Sequence, residues 1–462
     1  MAAKRTGEGV KSGMKNLFDL RESPASAAMI LLYGIVFLFA ATYYIEVSWR
    51  RAYTILLYSA LVVWVGIIYL KRIRQSRPTL NLLDLLFLVF TAAVLISMAI
   101  NWWAGTWRQL TLMPVFFLLP YFLGRIMLAE DCYRFRNIIV GMGVILLLLI
   151  LPEYLRVLKY GLPYEHSTKP WLFGQGHGVM LSGLLLSVTY LGLISILLSP
   201  DDSHSLSSLA SCKGRYLTYA ILLTIIVTMG WISSRGPALG GLIGMLVLFL
   251  LAPRSSRKRK FEILLTVSLG LAIAISHSLQ RKANAEFYAR LLQPPVVVAP
   301  ITKNAQTISQ GAAAETSILG AETCKRIVDS VSDRWVHYVQ AASIFLEKPL
   351  FGAGANHYGF YACTGPGSFP HSTILQVFAE LGIVVGFIYC MLIVMTVLTF
   401  MRRRRIDFRS FEPIWSWFVA FSVVQLLIAQ LNGDYFISAA LYFVIGVAAS
   451  AKDGASTTPK AL

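Results

Sequence analysis

The feature that most constrains this chain is a succession of apolar runs of about twenty residues, separated by polar loops. A run of this length suits an α-helix that crosses the hydrocarbon core of a bilayer. Hydrophobic residues make up 56% of the chain and charged residues only 14%, which excludes an ordinary soluble enzyme and a disordered chain. Transmembrane barrels are excluded as well, because their strands alternate apolar and polar residues. The sequence therefore predicts an all-α polytopic membrane protein.

About twelve spans can be drawn along the chain, and the fifth and ninth are short. They cover 25–45, 53–70, 80–100, 110–128, 137–153, 177–198, 216–233, 236–252, 261–278, 372–400, 413–431 and 434–451. The first run follows a basic leader and is too long for the apolar region of a signal peptide, so it is predicted as a span.

The distribution of Lys and Arg predicts the orientation. The chain has 41 Lys and Arg against 23 Asp and Glu, a formal net charge of +18. With the N-terminus inside, most of these cations fall in short inward loops, as the positive-inside rule requires. Both termini are therefore predicted to be cytoplasmic. The basic excess is explained without nucleic acid, and no nucleic-acid partner is expected.

One long polar stretch divides the chain. Residues 279–371 are predicted to form a large loop domain on the outer, periplasmic side. Binding and catalytic residues commonly lie on such loops, so the functional site is expected there. Residues 1–278 carry spans one to nine, 372–451 carry spans ten to twelve, and 452–462 form a cytoplasmic tail.

Within the large loop, apolar residues recur at helical spacing from Asp329 to Glu347 and predict a helix that Pro349 ends. Gly352 and Gly354 then predict a tight turn. Cys324 and Cys363 both lie in this loop, which in a bacterium faces an oxidising periplasm, so they are expected to pair. The alternative is two free thiols.

Polar and ionisable side chains collect on the outer side of the predicted bundle. His371 precedes Ser372, a candidate N-cap for the long apolar helix that follows. Glu380 lies about 13 Å deeper in that helix, where an ionisable group suggests function or a structural partner. Arg235 lies in a very short hairpin, either as a functional group or as an interface anchor. The full set is Arg235, Arg334, His337, His371, Gln376, Glu380, Asp434 and His177.

These residue types suit chemistry on a lipid-linked phosphate. The planar guanidinium of Arg binds diphosphate through its fork of donors. A neutral His accepts a proton from a hydroxyl near pH 7. No metal-binding motif is found on the outer side, so no metal site is expected.

Three stretches resemble the bacterial O-antigen ligase and polymerase superfamily. The stretch from Pro370 to Gly382 is similar to its His motif, with His371, Ser372 and Gly382 matching and Val385 departing from the pattern. Ser234-Arg235-Gly236 is similar to the mid-chain Ser-Arg-Gly signature. Arg334 followed by Pro349-Leu350-Phe351-Gly352-Ala353-Gly354 is similar to the Arg and Pro-x-x-Gly-x-Gly stretch of the superfamily.

The resemblance implies an O-antigen ligase, a GT-C-like glycosyltransferase of the Gram-negative inner membrane that needs no cofactor. The implied donor is O-antigen on undecaprenyl diphosphate, and the implied acceptor is the lipid A core oligosaccharide, which completes lipopolysaccharide on the periplasmic side. Membrane lipids are the surrounding partner.

Residue roles follow from the resemblance together with the residue chemistry. His371 would act as the general base, and Arg235 and Arg334 would stabilise the departing diphosphate. Arg290 is a further candidate for that task. His337 would support the base, although it also fits a solvated helix face. Substrate binding is assigned to Arg290, Glu380, Gln376, Asp434 and His177.

Three other functions stay open at this point. An O-antigen polymerase or a protein O-oligosaccharyltransferase of the same superfamily would differ only in the acceptor. A twelve-helix transporter is more distant, because no internal repeat is found and the polar groups cluster at one face. The roles of Arg156 and Lys159 are not assigned.

Overall fold

The structure is a computed structural model that describes most of the chain from residue 80 to residue 450. The described residues are 24–28, 30, 32–33, 60, 63–68, 70–71, 80–102, 106–160, 177–198, 212–232, 235–252, 256–279, 334–362, 368–406, 413–432, 434–435 and 438–450. Every regular element in these ranges is a helix, as predicted. The predicted spans 25–45 and 53–70 lie largely outside the described residues.

The helices are numbered here from the first one whose bounds are complete. They are α1 (Leu82–Ile100), α2 (Thr106–Met113), a π-helical turn (Pro114–Leu118), α3 (Leu119–Arg125), α4 (Ala129–Tyr160), α5 (His177–Leu198), α6 (Cys212–Ile232), α7 (Arg235–Leu251), α8 (Arg257–Leu279), α9 (Arg334–Glu347), α10 (Tyr358–Tyr361), α11 (Thr373–Ile406), α12 (Pro413–Asn432) and α13 (Ala439–Ser450).

Several of these helices suit a bilayer. Among the described residues, the segments Leu82–Ile100, Asp131–Ile150, Thr373–Arg402 and Ile414–Leu431 are long and apolar enough to span one. Shorter apolar helices accompany them. With the apolar composition, these helices make the chain a membrane protein. The number of twelve spans, the outward loop and the orientation stay predictions.

Three predicted spans need correction. The fifth, predicted as 137–153, is part of a helix that runs from Ala129 to Tyr160. The last, predicted from residue 434, becomes helical only at Ala439. The tenth, predicted as one helix over 372–400, reaches Ile406 and is broken on the way.

Two glycines let α3 and α13 pack with their backbones in contact. A Cβ atom on Gly124 would lie 2.2 Å from the carbonyl oxygen of Phe443, and one on Gly446 would lie 2.1 Å from that of Tyr121. Glycine at both positions removes the side chains that would hold the helices apart. Close approach of this kind is how membrane helices gain packing energy, since lipid supplies no hydrophobic drive between them.

A buried ion pair joins α1 to α3 at the end of the bundle predicted to face the cytoplasm. Arg125 Nε lies 3.0 Å from Asp84 Oδ1, and the Tyr121 hydroxyl donates to the same oxygen at 2.5 Å. The N-cap residue Asn81 donates its amide to the Ala449 carbonyl at the end of α13, at 2.8 Å. A charge in a membrane is costly unless it is paired, so these contacts fix α1, α3 and α13 together.

The helix α11 breaks at Gly382, which has φ 78° and ψ −174°. The break leaves backbone groups without helical partners, and the turn after α9 supplies them. Ala353 N–H donates to the Ala379 carbonyl at 2.9 Å, and Gly354 N–H donates to the Glu380 carbonyl at 2.8 Å. In return, Ile383 N–H donates to the Pro349 carbonyl at 2.8 Å. The Pro349–Gly354 turn therefore completes the hydrogen bonding of a broken helix.

Glycine is required on both sides of this junction. Gly352 has φ 68°, and a Cβ there would lie 2.3 Å from the backbone of Glu380. A Cβ on Gly382 would lie 2.2 Å from the Leu350 carbonyl oxygen. The turn predicted at Gly352 and Gly354 is confirmed, and so is the end of α9 before Pro349. The break that receives the turn is a new finding.

We expect Gly382→Ala to destabilise the protein by at least about 1–3 kcal/mol, the usual cost of a side chain in a glycine-only backbone region. Contact with the Leu350 carbonyl adds to this cost. The measurement is thermal unfolding of the purified protein in detergent, followed by intrinsic fluorescence.

Gly141→Ala is the matched control, because a Cβ at this helical position meets nothing within 4 Å. It should leave the melting temperature unchanged or raise it, since alanine favours a helix over glycine. Equal melting temperatures for wild type and Gly382→Ala would contradict the structural need for this break.

Candidate functional site

The start of α11 is held by polar side chains. Ser372 Oγ accepts a hydrogen bond from Leu375 N–H at 3.4 Å and donates to Gln430 Oε1 at 2.9 Å. Gln430 Oε1 also accepts from Ile374 N–H at 3.2 Å, while its Nε2 donates to Thr373 Oγ1 at 2.8 Å. The predicted N-cap role of Ser372 is confirmed. The first turn of α11 is thereby tied to α12.

His371 lies directly before this cap in a backbone conformation that non-glycine residues rarely adopt, with φ 60°. Its ring packs edge-to-face against Phe369, with the ring centroids 4.9 Å apart. A strained residue persists only where its surroundings hold it, and such residues cluster at functional sites. The positive end of the α11 dipole is adjacent to it.

A second histidine faces His371 from another helix. The ring of His337 on α9 is nearly perpendicular to that of His371, at 81°, with the centroids 5.6 Å apart. Both side chains are half-buried. The structure therefore brings together two histidines that the sequence separates by more than thirty residues.

Tyr358 on α10 fixes the tautomer of His337, that is, which ring nitrogen carries the hydrogen. Its hydroxyl donates to the His337 carbonyl at 3.2 Å and lies 3.0 Å from His337 Nδ1. A tyrosine has one hydroxyl hydrogen, so both contacts are hydrogen bonds only if Nδ1 carries a hydrogen and donates it. The neutral ring then leaves Nε2 as a proton acceptor.

Glu380 ties the loop to the membrane helix. Its side chain is fully buried at the last turn before the break. Asn356 N–H donates to Oε2 at 2.6 Å and Tyr358 N–H donates to Oε1 at 3.2 Å. The Tyr435 hydroxyl donates to Oε2 at 3.0 Å. One carboxyl group thus positions the backbone of Tyr358, and through it His337.

Gln376 extends the same network. Its Nε2 donates to Glu380 Oε1 at 3.4 Å, and its Oε1 accepts from Tyr435 N–H at 3.3 Å. Asp434 is buried beside Tyr435 and accepts a hydrogen bond on its carbonyl from Ser438. The described partners of Gln376 and Glu380 are protein groups, which supports a structural role for both. Substrate binding by these residues stays a prediction.

Burial sets the protonation of the groups above the membrane helix. Desolvation lowers the pKa of His337 and therefore favours the neutral ring. Desolvation also lowers the pKa of His357, and Lys348 lowers it further, against a raising hydrogen bond to the Ala355 carbonyl. Burial raises the pKa of Tyr358, with a further contribution from the charge of Glu380. Burial therefore favours the neutral form of both histidines, and the hydrogen bond that the Tyr358 hydroxyl donates requires neutral tyrosine.

Only part of the predicted site can be placed. The structure brings His371, His337, Gln376 and Glu380 together around the start of α11, with Asp434 beside them. Arg235, Arg334 and His177 are the first residues of α7, α9 and α5, and their side chains lie outside the described residues, as do those of Arg156 and Lys159 on α4. Arg290, Cys324 and Cys363 also lie outside, so the disulfide stays a prediction.

Four contact residues were missed by sequence reasoning. They are Asn356, Tyr358, Gln430 and Tyr435. Gln430 gave a usable signal, because an amide in an apolar span needs a partner. Tyr358 gave none, because its role depends on a loop folding back onto α11.

The segment that contains this site is similar to a known family. Residues 220–390 match the family model described as O-antigen ligase. The match contains α9, the Pro349–Gly354 turn, His371 and the break at Gly382. The matched segment is similar to the O-antigen ligase family and supports an O-antigen ligase-like protein. A search of curated proteins found no match.

We expect Glu380→Gln to destabilise the protein by about 1–3 kcal/mol, the usual cost of leaving a buried hydrogen-bonding group without its partner. The carboxamide has one acceptor oxygen, whereas Glu380 accepts from two backbone N–H groups on different oxygens. Hydrogen exchange of the Asn356 and Tyr358 amides should rise, and this measurement checks the prediction directly.

Glu347→Gln is the matched control, since Glu347 is exposed on α9. It should leave amide exchange in the loop unchanged. Unaltered exchange at Tyr358 in the Glu380 variant would show that this carboxyl does not hold the loop.

We expect the protein to lose stability as the pH falls from 7 towards 5. The folded pKa of His337 is lowered, so the unfolded chain binds a proton first as the pH drops through about 6.5. The stabilising contribution is complete above that value and is lost below it. Melting temperatures measured across this range should fall less steeply in His337→Gln than in wild type, and equal slopes would contradict the prediction.

Proposed function

We propose that the chain is an O-antigen ligase, an inverting glycosyltransferase that moves glycan from undecaprenyl diphosphate to a sugar hydroxyl of the lipid A core. The reaction takes place on the periplasmic side of the Gram-negative inner membrane and completes lipopolysaccharide. The observation that carries this proposal is the His371 and His337 pair, with ring centroids 5.6 Å apart, at the start of a broken membrane helix inside the matched range.

His371 acts as the general base in the proposed reaction. It takes the proton of the acceptor hydroxyl while the oxygen attacks the anomeric carbon of the donor sugar. The bond from that carbon to the diphosphate oxygen breaks, and undecaprenyl diphosphate leaves with the electron pair. One bond forms as one breaks on the opposite face of the sugar, so the anomeric configuration inverts.

Arginine is proposed to stabilise the departing diphosphate in place of a metal. Arg235 and Arg334 begin α7 and α9, where helix N-termini add positive potential. Arg334 precedes His337 by one helical turn on α9. Arg290 is proposed as a third cation. Guanidinium groups aimed at the leaving group lower the barrier because the charge develops there.

His337 is proposed to support the base from the side. The Tyr358 hydroxyl holds its hydrogen on Nδ1, so that Nε2 accepts hydrogen bonds. A neutral acceptor beside His371 stabilises the imidazolium that forms during transfer. Glu380, Gln376, Asp434 and His177 are proposed to shape the substrate site.

The test is complementation of a Gram-negative strain that lacks its ligase and makes the cognate O-antigen. Wild-type protein should restore capped lipopolysaccharide on a gel. His371→Asn should reduce capping about 100-fold or more, the contribution typical of a general base. Asparagine is chosen because it tolerates the positive φ at this position better than alanine does.

His204→Asn serves as the matched control, because His204 lies in a loop predicted to be cytoplasmic. It should cap as well as wild type at equal protein level. Full capping by His371→Asn would refute the base assignment. Failure of wild type to cap the core would refute the ligase acceptor, and polymer length and protein glycosylation would then be measured.

A further inference from the structure

The exposed face of α9 is apolar, although the helix lies in the segment predicted to be a soluble loop. Trp335, Val339 and Leu346 are 60%, 52% and 75% exposed. Their spacing of four and seven residues places them on one stripe of the helix. The turn that follows exposes Leu350 and Phe351 as well, the latter at 84%. A contiguous apolar surface of this kind marks an interaction site.

The opposite face of α9 packs against the protein. Ala341 and Ile344 are buried in a cluster with Tyr358 and Ala379. His337 points to the site from this inner side. The helix therefore has two faces. The inner face packs against α10 and the start of α11, and the neighbour of the exposed face remains to be assigned.

The apolar face of α9 continues into the lipid-facing surface of α11. After the break at Gly382, α11 exposes a stripe with alternating spacings of three and four residues, formed by Val384, Phe387, Met391, Val394, Leu398 and Met401. Before the break, α11 has no exposed residue from Thr373 to Leu381. The surface passes from α11 to α9 and its turn at this point.

Three aromatic rings in contact connect α9 to the exposed stripe of α11. Phe345 of α9 packs edge-to-face on Phe378, with centroids 5.4 Å apart. Phe378 packs in the same way on Phe387 at 5.9 Å. The exposed turn at Leu350 and Phe351 adjoins Gly382 through backbone contact.

The length of the stripe locates the membrane. From Val384 to Met401 it extends about 26 Å at 1.5 Å per residue, close to the bilayer hydrocarbon thickness of about 30 Å. Arg402 and the basic residues after it end the stripe at one side. The turn at Phe351 lies at the other side, at the outer boundary of the hydrocarbon.

We propose that α9 and its turn form an interfacial segment, defined as residues 335–351, whose apolar face is covered by phospholipid of the outer leaflet. The apolar face then lies at the boundary between lipid headgroups and acyl chains. This position suits an amphipathic helix with tryptophan at one end. The segment is then a membrane contact rather than part of a water-exposed loop. The proposal does not depend on the reaction catalysed.

Photo-crosslinking tests the proposal. The photoreactive residue p-benzoylphenylalanine replaces Leu346 or Phe351, one at a time, in the full chain. The purified variants are reconstituted in vesicles of phosphatidylethanolamine and phosphatidylglycerol and irradiated. We expect intact-protein mass spectrometry to show a gain of one phospholipid at both positions. The same replacement at Phe387, on the stripe of α11, is the positive control.

Tyr361 is the matched negative control, since its ring lies 4.3 Å from the Lys348 ammonium group on the polar side of the loop. It should give no lipid adduct. A crosslink from Leu346 and Phe351 to another segment of the chain, a covalent dimer, or no adduct while Phe387 is labelled would each overturn the proposal. Replacement at Trp335 gives an independent third position if one variant is not monodisperse.

Discussion

The structure depends on the exchange of backbone hydrogen bonds between a broken membrane helix and the turn that follows α9. At Gly382 the helix α11 cannot satisfy its own carbonyl groups, and burial of Ala379 and Glu380 keeps water from replacing the missing hydrogen bonds. The N–H groups of Ala353 and Gly354 supply the missing donors. Because these bonds are made by the backbone, they fix the height and direction of the loop regardless of side-chain motion. Without them the loop would have no defined place relative to the helix.

The site inherits its precision from that junction. Glu380 lies two residues before the break at Gly382 and accepts the N–H of Tyr358, and Tyr358 in turn fixes the tautomer of His337. His371 is placed by the other end of the same helical segment, beside the Ser372 cap. The segment of α11 before the break thus positions both histidines, one from each of its ends. If His371 is the general base, as proposed, a side chain held in this way needs little reorganisation when a substrate binds.

Features that depend on neighbouring residues could be predicted from the sequence. Features that depend on contact with a distant segment could not. The Ser372 cap and the end of α9 before Pro349 follow from capping and proline sterics, and the structure has both. The break at Gly382 was missed because a single glycine in an apolar run is compatible with a continuous helix. Its positive φ is stabilised by a turn thirty residues earlier. Tyr358 was missed for the same reason, since nothing near it in the sequence names its partner.

A break at the membrane boundary also explains how one helix serves two environments. The part of α11 after Gly382 exposes an apolar stripe that is about as long as the hydrocarbon is thick. The part before it has no exposed residue from Thr373 to Leu381 and carries the buried Gln376 and Glu380. A continuous helix with polar residues at this level would expose them to acyl chains at a high cost. Breaking the helix and docking a loop there lets buried carboxyl and amide groups lie just outside the hydrocarbon. In the proposed reaction, a lipid-linked diphosphate would lie at that same level, because its polyprenyl chain must remain in the leaflet.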